Sequence, residues 1–257
     1  MSALEAALRA VRGRGGRAFV PYVTGGYPGV DAALLRGLEA AGADAVEIGI
    51  PHSDPIMDGG VIQEASSEAL VRGARPADVL ATVREAALGV PVAVMTYVNP
   101  VLRRGVDAFL NDAAAAGVAG AIVPDLPVDE AATVQAAAGV RGIDVVLLAA
   151  PGTAEARYAA IAAASHGFVY CVATYGVTGV RDALGGAARE VVGAMRPLTD
   201  LPLLVGVGIG TPEQSADACS FADGVIVGSA LMAALGEGGQ DAVRRLAASF
   251  RAAIPRG

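Results

Sequence analysis

Lysine is absent. All 19 basic residues of the 257-residue chain are Arg. Schiff-base aldolases and pyridoxal-phosphate enzymes need a lysine amine on the chain, and a Walker-type nucleotide site needs a Gly-Lys-Ser/Thr ending, so all three are excluded. Trp is missing too and aromatics make up 4%, too few for nucleic-acid stacking platforms. A net charge of −7 with no basic cluster argues against nucleic acid and anionic membrane as partners. The two histidines, His52 and His166, lack ligand spacing, so no catalytic metal is expected and both read as incidental loop residues. No Gly-x-Ser-x-Gly elbow occurs. Cys171 and Cys219 sit in apolar runs and read as small buried hydrophobes, which fits a reducing compartment. The start "MSALEAALRAVRGRGG" has no basic head before an apolar stretch. No run approaches the roughly 18–20 residues of a membrane span. The expectation is a cytoplasmic protein.

What is present is a large apolar fraction, 54% with mean hydropathy +0.51, much of it Ala. Short apolar runs alternate with helical stretches. Ala18–Val23, Ala45–Ile50, Val90–Thr96, Gly120–Val123, Val145–Ala149, Gly167–Val172, Leu203–Val207 and Gly224–Val227 read as strands buried on both faces, as parallel strands are. Helices are expected at 30–41, 61–73, 76–88, 106–116, 128–139, 154–165, 187–197, 212–221 and 229–253, the last in two pieces. An opening helix carries a capping box of Ser2 with Glu5, and "TPEQ" offers Thr211, Pro212 and Gln214 as N-cap, first residue and box partner. About eight strand–helix units in one chain of this length predict a (β/α)8 barrel, an α/β TIM barrel with an extra N-terminal helix, as a single domain over 1–257. A doubly wound open sheet is the alternative; no Gly-x-Gly-x-x-Gly follows the first strand.

In such a barrel, the C-terminal strand ends and the loops after them build the site. They offer Tyr22 and Thr24, Glu47 with the loop "PHSDPIMDGG", Tyr97 and Asn99, Asp125, and Tyr170. "GVGIG" (206–210) and "VGSAL" (227–231) are Gly-rich turns that open helices after consecutive late strands. Backbone N–H groups at such turns hold an anion, so a phosphate is expected there; the alternative is that these glycines only permit tight turns. Glu47 lies among Val46, Ile48 and Ile50, where burial raises a carboxyl pKa. Asp58, eleven positions on in the next loop, completes a carboxylate pair suited to acid–base work. The competing reading of Glu47 is a structural acid paired with an Arg. Asp125 precedes Pro and can brace a neighbouring loop as readily as meet a ligand.

"PYVTGGYP", "EIGIPHSDPIMDGGVIQ", "MTYVNP", "VPDLP", "YGVTGVR", "GVGIGTPEQ" and "GVIVGSAL" follow one another along nearly the whole chain. In that order they resemble the alpha subunit of tryptophan synthase, and the strand Glu followed by Ser-Asp-Pro and Asp-Gly is the specific part. The resemblance implies a lyase that cleaves indole-3-glycerol phosphate to indole and glyceraldehyde 3-phosphate without a cofactor of its own. It implies Glu47 and Asp58 as catalytic residues. It implies Tyr22, Tyr97, Asp125 and Tyr170 around the substrate, with Thr178, Gly179, Gly208, Gly228 and Ser229 towards its phosphate. Residues 175–184 would form a lid. The implied partner is a pyridoxal-phosphate beta subunit in an alpha2-beta2 complex, met by loops at His52–Gly60 and Asn99–Gly105. Two positions and one segment depart from the family's usual pattern: Gly60 stands where Pro is common, His52 where an aromatic is common, and "ATYGVTG" lacks the Ser and Arg often found before Gly-Val-Thr-Gly. Three other functions compete: a free-standing lyase supplying indole elsewhere, a non-catalytic alpha-like partner protein, and another phosphate-binding barrel such as a sugar-phosphate isomerase.

Overall fold

A computed structural model describes residues 1–172 and 184–257. Eight parallel strands close into a barrel in chain order: β1 Ala18–Thr24, β2 Val46–Gly49, β3 Val92–Met95, β4 Val118–Ile122, β5 Asp144–Ala149, β6 Val169–Val172, β7 Leu203–Gly206 and β8 Gly224–Val227. Pairing of Ala18 with Gly224 and Phe19 with Val225 joins last strand to first, which settles the choice against an open sheet. The helices are α1 Ala3–Gly13, α2 Ala32–Ala40, α3 Gly60–Val71, α4 Pro76–Ala86, α5 Val98–Arg104, α6 Val106–Ala115, α7 Ala131–Gly139 after a 3₁₀ turn at Val128–Glu130, α8 Glu155–Ala164, α9 Leu184–Met195, α10 Pro212–Ala218 and α11 Ser229–Ala253. Helix α11 breaks at Gly239, whose φ of +66° is left-handed, so the expected two pieces are present. Helix α5 is not among the expected elements: the segment read as a loop at Asn99–Gly105 is helical up to Arg104.

Side chains alternate between barrel and helix layer. Phe19 faces outward and stacks on Phe250 of α11 at 6.3 Å, so Ala18, Val20, Tyr22 and Thr24 face the lumen. Register then places Glu47 beside Tyr22 on one strand and Ala93 on the other. Inward glycines leave room for large neighbours: a methyl group on Gly49 would collide with the Tyr22 ring, and one on Gly206 with the Tyr170 ring. The two tyrosines fill the lumen where alternation of large and small residues permits it.

Helix α1 packs across the opposite end, with Leu4, Leu8 and Val11 buried and Leu4 against Gly120 of β4. Each such side chain contributes roughly 1.5–3 kcal/mol by burial. Ser2 caps α1, accepting the Glu5 N–H at 3.1 Å, and donates to Asp144 at the start of β5. The Glu5 carboxylate pairs with Arg9 at 2.6 Å, the i,i+4 arrangement, in place of the expected box partnership. Two further acids lock this end. Asp44 accepts from Phe19 N–H and Arg251, and Asp223 from Leu203 N–H and Arg196. Among the described residues, no helix is long and apolar enough to cross a membrane.

Candidate active site

At the C-terminal end of the barrel, Glu47 projects inward from β2 and is 1% exposed. Its Oε2 has no hydrogen-bond partner, and no described Arg pairs with it, so the structural ion-pair reading has no support among the described residues. Burial first, and the Asp58 charge second, push its pKa up to about 8. The desolvation does not come from Val46 and Ile48, whose side chains point to the other face; it comes from the barrel interior.

Asp58 reaches the same end from the loop between β2 and α3 and is 8% exposed. Burial raises its pKa to about 6, while a hydrogen bond from Tyr97 and the charge of His52 work in the other direction. Tyr97 Oη donates to Asp58 Oδ2 at 3.2 Å and accepts the Met57 N–H at 3.0 Å. Gln63, one turn into α3, donates from Nε2 to the carbonyls of Asp58 at 2.9 Å and Pro55 at 3.3 Å. Sequence reasoning passes over Gln63, although a Gln just inside a helix after a Gly pair is placed to hold its own entry loop.

Tyr22 and Tyr170 are buried beside this pair. The phenol pKa of each is raised, by burial first and also by the Glu47 and Asp58 charges, which puts all four side chains in one electrostatic environment. Tyr22 Oη shares a hydrogen bond with Thr24 Oγ1 at 3.3 Å.

The Gly-rich turns open beside them. Gly228 caps α11, and its α-carbon faces the Tyr22 ring and Ile62: a Cβ there would lie 3.0 Å from Tyr22. Ser229 begins the helix, with its Oγ 3.7 Å from where a Cβ on Gly59 would stand. The first N–H groups of α11 precede its hydrogen-bond ladder, which starts with Met232 bonding back to Gly228. After β7, Val207 holds φ +66° and Gly208 φ +95°. A β-branched residue there is strained, a feature that concentrates at ligand sites. Gln214 Oε1 occupies the N–H groups of Gly210 and Thr211 at 2.7 and 3.2 Å, completing the expected capping box and leaving Gly208 as the glycine of this turn for a ligand.

Asp125 does something else. Its Oδ1 accepts the Val98 N–H at 2.8 Å and caps α5, the bracing alternative read from the sequence. His52 is not incidental: its ring stacks on Tyr97 with centroids 4.6 Å apart. Thr178, Gly179 and the proposed lid, apart from its last residue, lie outside the described residues. Among the described residues, no cluster of three or more His, Cys, Asp or Glu is arranged to hold a metal. Cys171 and Cys219 are buried thiols, their pKa values pushed up to about 12 and about 11 by burial, as expected of packing residues.

Comparison with known proteins bears on this geometry directly. Residues 8–253 match the family described as tryptophan synthase alpha chain. The tryptophan synthase alpha chain of Leifsonia xyli is 47% identical over 96% of both chains, and that of Streptomyces avermitilis is 44% identical over 99% of this chain and 95% of its own. Among solved structures, tryptophan synthase from Mycobacterium tuberculosis superposes with a TM-score of 0.93 at 43% identity, covering 100% of this chain and 99% of that one. The alpha subunit from Legionella pneumophila gives 0.88 at 33%, covering 98% of each. With its barrel, its buried carboxylate pair and this similarity over nearly its full length, the chain belongs to the tryptophan synthase alpha chain family.

Proposed function

We propose that the chain is a carbon–carbon lyase that cleaves indole-3-glycerol phosphate by a retro-aldol reaction, as the alpha subunit of tryptophan synthase. The observation that carries this reading is the pair of buried acids at one barrel end, Glu47 with an Oε2 that has no hydrogen-bond partner and Asp58 held by the Tyr97 phenol. With pKa values of about 8 and about 6, Glu47 is protonated and Asp58 ionised at neutral pH, so one barrel end holds a proton donor beside an anion. Glu47 delivers its proton to indole C3. The ring nitrogen becomes cationic and Asp58, facing its N–H, stabilises that charge. The bond from C3 to the glycerol carbon breaks with its electron pair returning to the ring, restoring indole. The hydroxyl on that carbon becomes the aldehyde carbonyl as Glu47, now a carboxylate, takes its proton. Atoms and charge balance with no external oxidant or reductant. Gly208, Gly228 and Ser229 hold the phosphate through backbone N–H groups at the start of α11 and in the strained turn after β7. Tyr22 and Tyr170 flank the ring.

We assign the cofactor to the partner: pyridoxal phosphate belongs to a beta subunit, since this chain has no Lys to bind it. The docking face is the β2–α3 loop together with α5, where Ile56, Met57 and Leu102 are exposed apolar side chains. Tyr97 links the two segments by holding Met57 N–H from the start of α5. The test is release of glyceraldehyde 3-phosphate from indole-3-glycerol phosphate by the full chain, with and without a beta subunit. Slow turnover that rises with the partner supports the synthase role. Turnover indifferent to it indicates a free-standing lyase, and no release in either case overturns the reading.

A further inference from the structure

His52 sits in the loop after β2, and Tyr97 stands just before α5, after β3. Their rings are nearly parallel, 23° apart, at 4.6 Å between centroids, the close end of the range in which aromatic rings attract. His52 Nδ1 lies 3.1 Å from the Asp54 N–H and accepts it, which ties the ring to its own loop. Tyr97 then returns to the same loop through Met57 N–H and Asp58 Oδ2. The contacts make a closed circuit: His52 to Tyr97 by stacking, Tyr97 to Met57 and Asp58 by hydrogen bonds, and back along the loop to Asp54 and His52. Asp58 is the member that faces the reaction, and His52 the member that does not. We propose that His52 is a positioning residue for Asp58: its ring fixes the plane of Tyr97 so that the phenol meets the carboxylate, and its Nδ1 ties down the loop at Asp54. A phenol rotates about its own axis without moving its oxygen, but tilting the ring swings the oxygen away. Stacking on one face prevents the tilt.

The proposal rests on the retro-aldol reading of this site. It is tested on the full chain with His52→Phe, which keeps the ring and loses the nitrogen, and His52→Ala, which loses both. Turnover of indole-3-glycerol phosphate is measured beside titration of the Asp58 carboxyl carbon by NMR. His52→Ala is expected to lower kcat between about tenfold and a hundredfold, as small misplacements of catalytic groups do, with KM little changed. In the same variant Asp58 titrates at higher pH for two reasons, the lost His52 charge and the loosened Tyr97 bond; His52→Phe loses the charge alone, so the bond is read as the additional shift in His52→Ala. His52→Phe keeps most of kcat and shows a smaller shift. The proposal is overturned if His52→Ala turns over like wild type, or if the two variants lose kcat equally and shift the Asp58 titration equally. Failure of the lyase reading is distinguishable: wild type would then release no glyceraldehyde 3-phosphate, whereas the Asp58 titration in His52→Ala would still report the positioning.

Discussion

Tyr97 and Asp58 are joined by one hydrogen bond of 3.2 Å, donated by the phenol. Burial and the Asp58 charge raise the phenol's own pKa far above neutrality, so it remains a donor wherever the protein is folded. That bond opposes the desolvation of Asp58 and keeps it the more acidic member of the pair. The separation of roles between the two carboxylates therefore depends on a side chain from a different strand end.

Replacing Tyr97 by Phe removes this opposition. Asp58 must be ionised to face a cationic ring, so activity falls as pH drops through its pKa, about 6. Glu47 must be protonated to donate, so activity also falls as pH rises through about 8. The wild-type profile of kcat/KM is expected to be a bell between those limits, which belong to the interacting pair as a whole. In Tyr97→Phe, the acid limb moves to higher pH and the bell narrows. A pH series of initial rates checks this, and an unmoved acid limb would contradict it.

Glu47→Gln is expected to lower kcat by about a hundredfold or more, the usual scale of a lost general acid–base. It should also stabilise the fold at alkaline pH. The folded pKa of Glu47 lies above its unfolded value, so the folded state holds the proton more tightly. Ionisation costs nothing below about pH 4.5. The cost accumulates as pH rises and is complete above about 8. Denaturant melts at pH 5 and pH 8.5 should show the variant near wild type at the lower pH and more stable, on the order of a few kcal/mol, at the higher. A variant no more stable at pH 8.5 would mean that Glu47 is solvated in the folded protein.

Asp125→Ala separates bracing from ligand contact. Losing the cap on Val98 N–H leaves a half-buried donor without its acceptor and should cost about 1–2 kcal/mol of stability. It should also displace Leu102 on α5, weakening stimulation by a beta subunit more than the KM for substrate. Asp125→Asn retains an acceptor oxygen and should behave close to wild type. A large rise in KM with unchanged stability in Asp125→Ala would return Asp125 to the substrate.

The eight strands were legible because the barrel buries both faces of each, so each appears as a short apolar run, most of them bounded by Gly, Pro or Asp. Helix α5 was not. Its N–H cap comes from Asp125, 27 residues away, and Pro100 in its first turn reads locally as a turn signal. Nor was the Tyr97–His52 stack, which joins residues 45 positions apart on two strand ends. Glu47 was found for a reason only half correct: its sequence neighbours are apolar, but they face the helices, and the cross-strand register with Tyr22 and Ala93 places it inside the barrel. Local signals located the acids; contacts distant in sequence determine how they are held.

Gly60 offers a prediction from a departure in the sequence. It is the first residue of α3, and Gly59 before it is the N-cap with φ −71° and ψ 159°. That backbone is the extended conformation a following proline demands. The first helical position is where proline costs least, since its missing N–H has no partner in the helical ladder and its fixed φ suits the turn. A Cβ on Gly60 would meet nothing within 4 Å, so a side chain can start there without a clash. Gly60→Pro should then stabilise the protein by about 0.4–1 kcal/mol, chiefly by restricting the unfolded chain, and raise Tm by roughly 1–4 °C for a chain of this size. The same restriction shortens the freely rotating stretch next to Asp58, whose carbonyl is already held by Gln63. Turnover of the isolated chain should therefore rise or hold, and stimulation by a beta subunit should fall in proportion, because the loop ordering that the partner would otherwise supply is already built in. Thermal melts and turnover with and without the partner check this together. A lower Tm would show that the backbone at Gly60 is not helical in solution, and a raised Tm with collapsed turnover would show that Asp58 must move during the reaction.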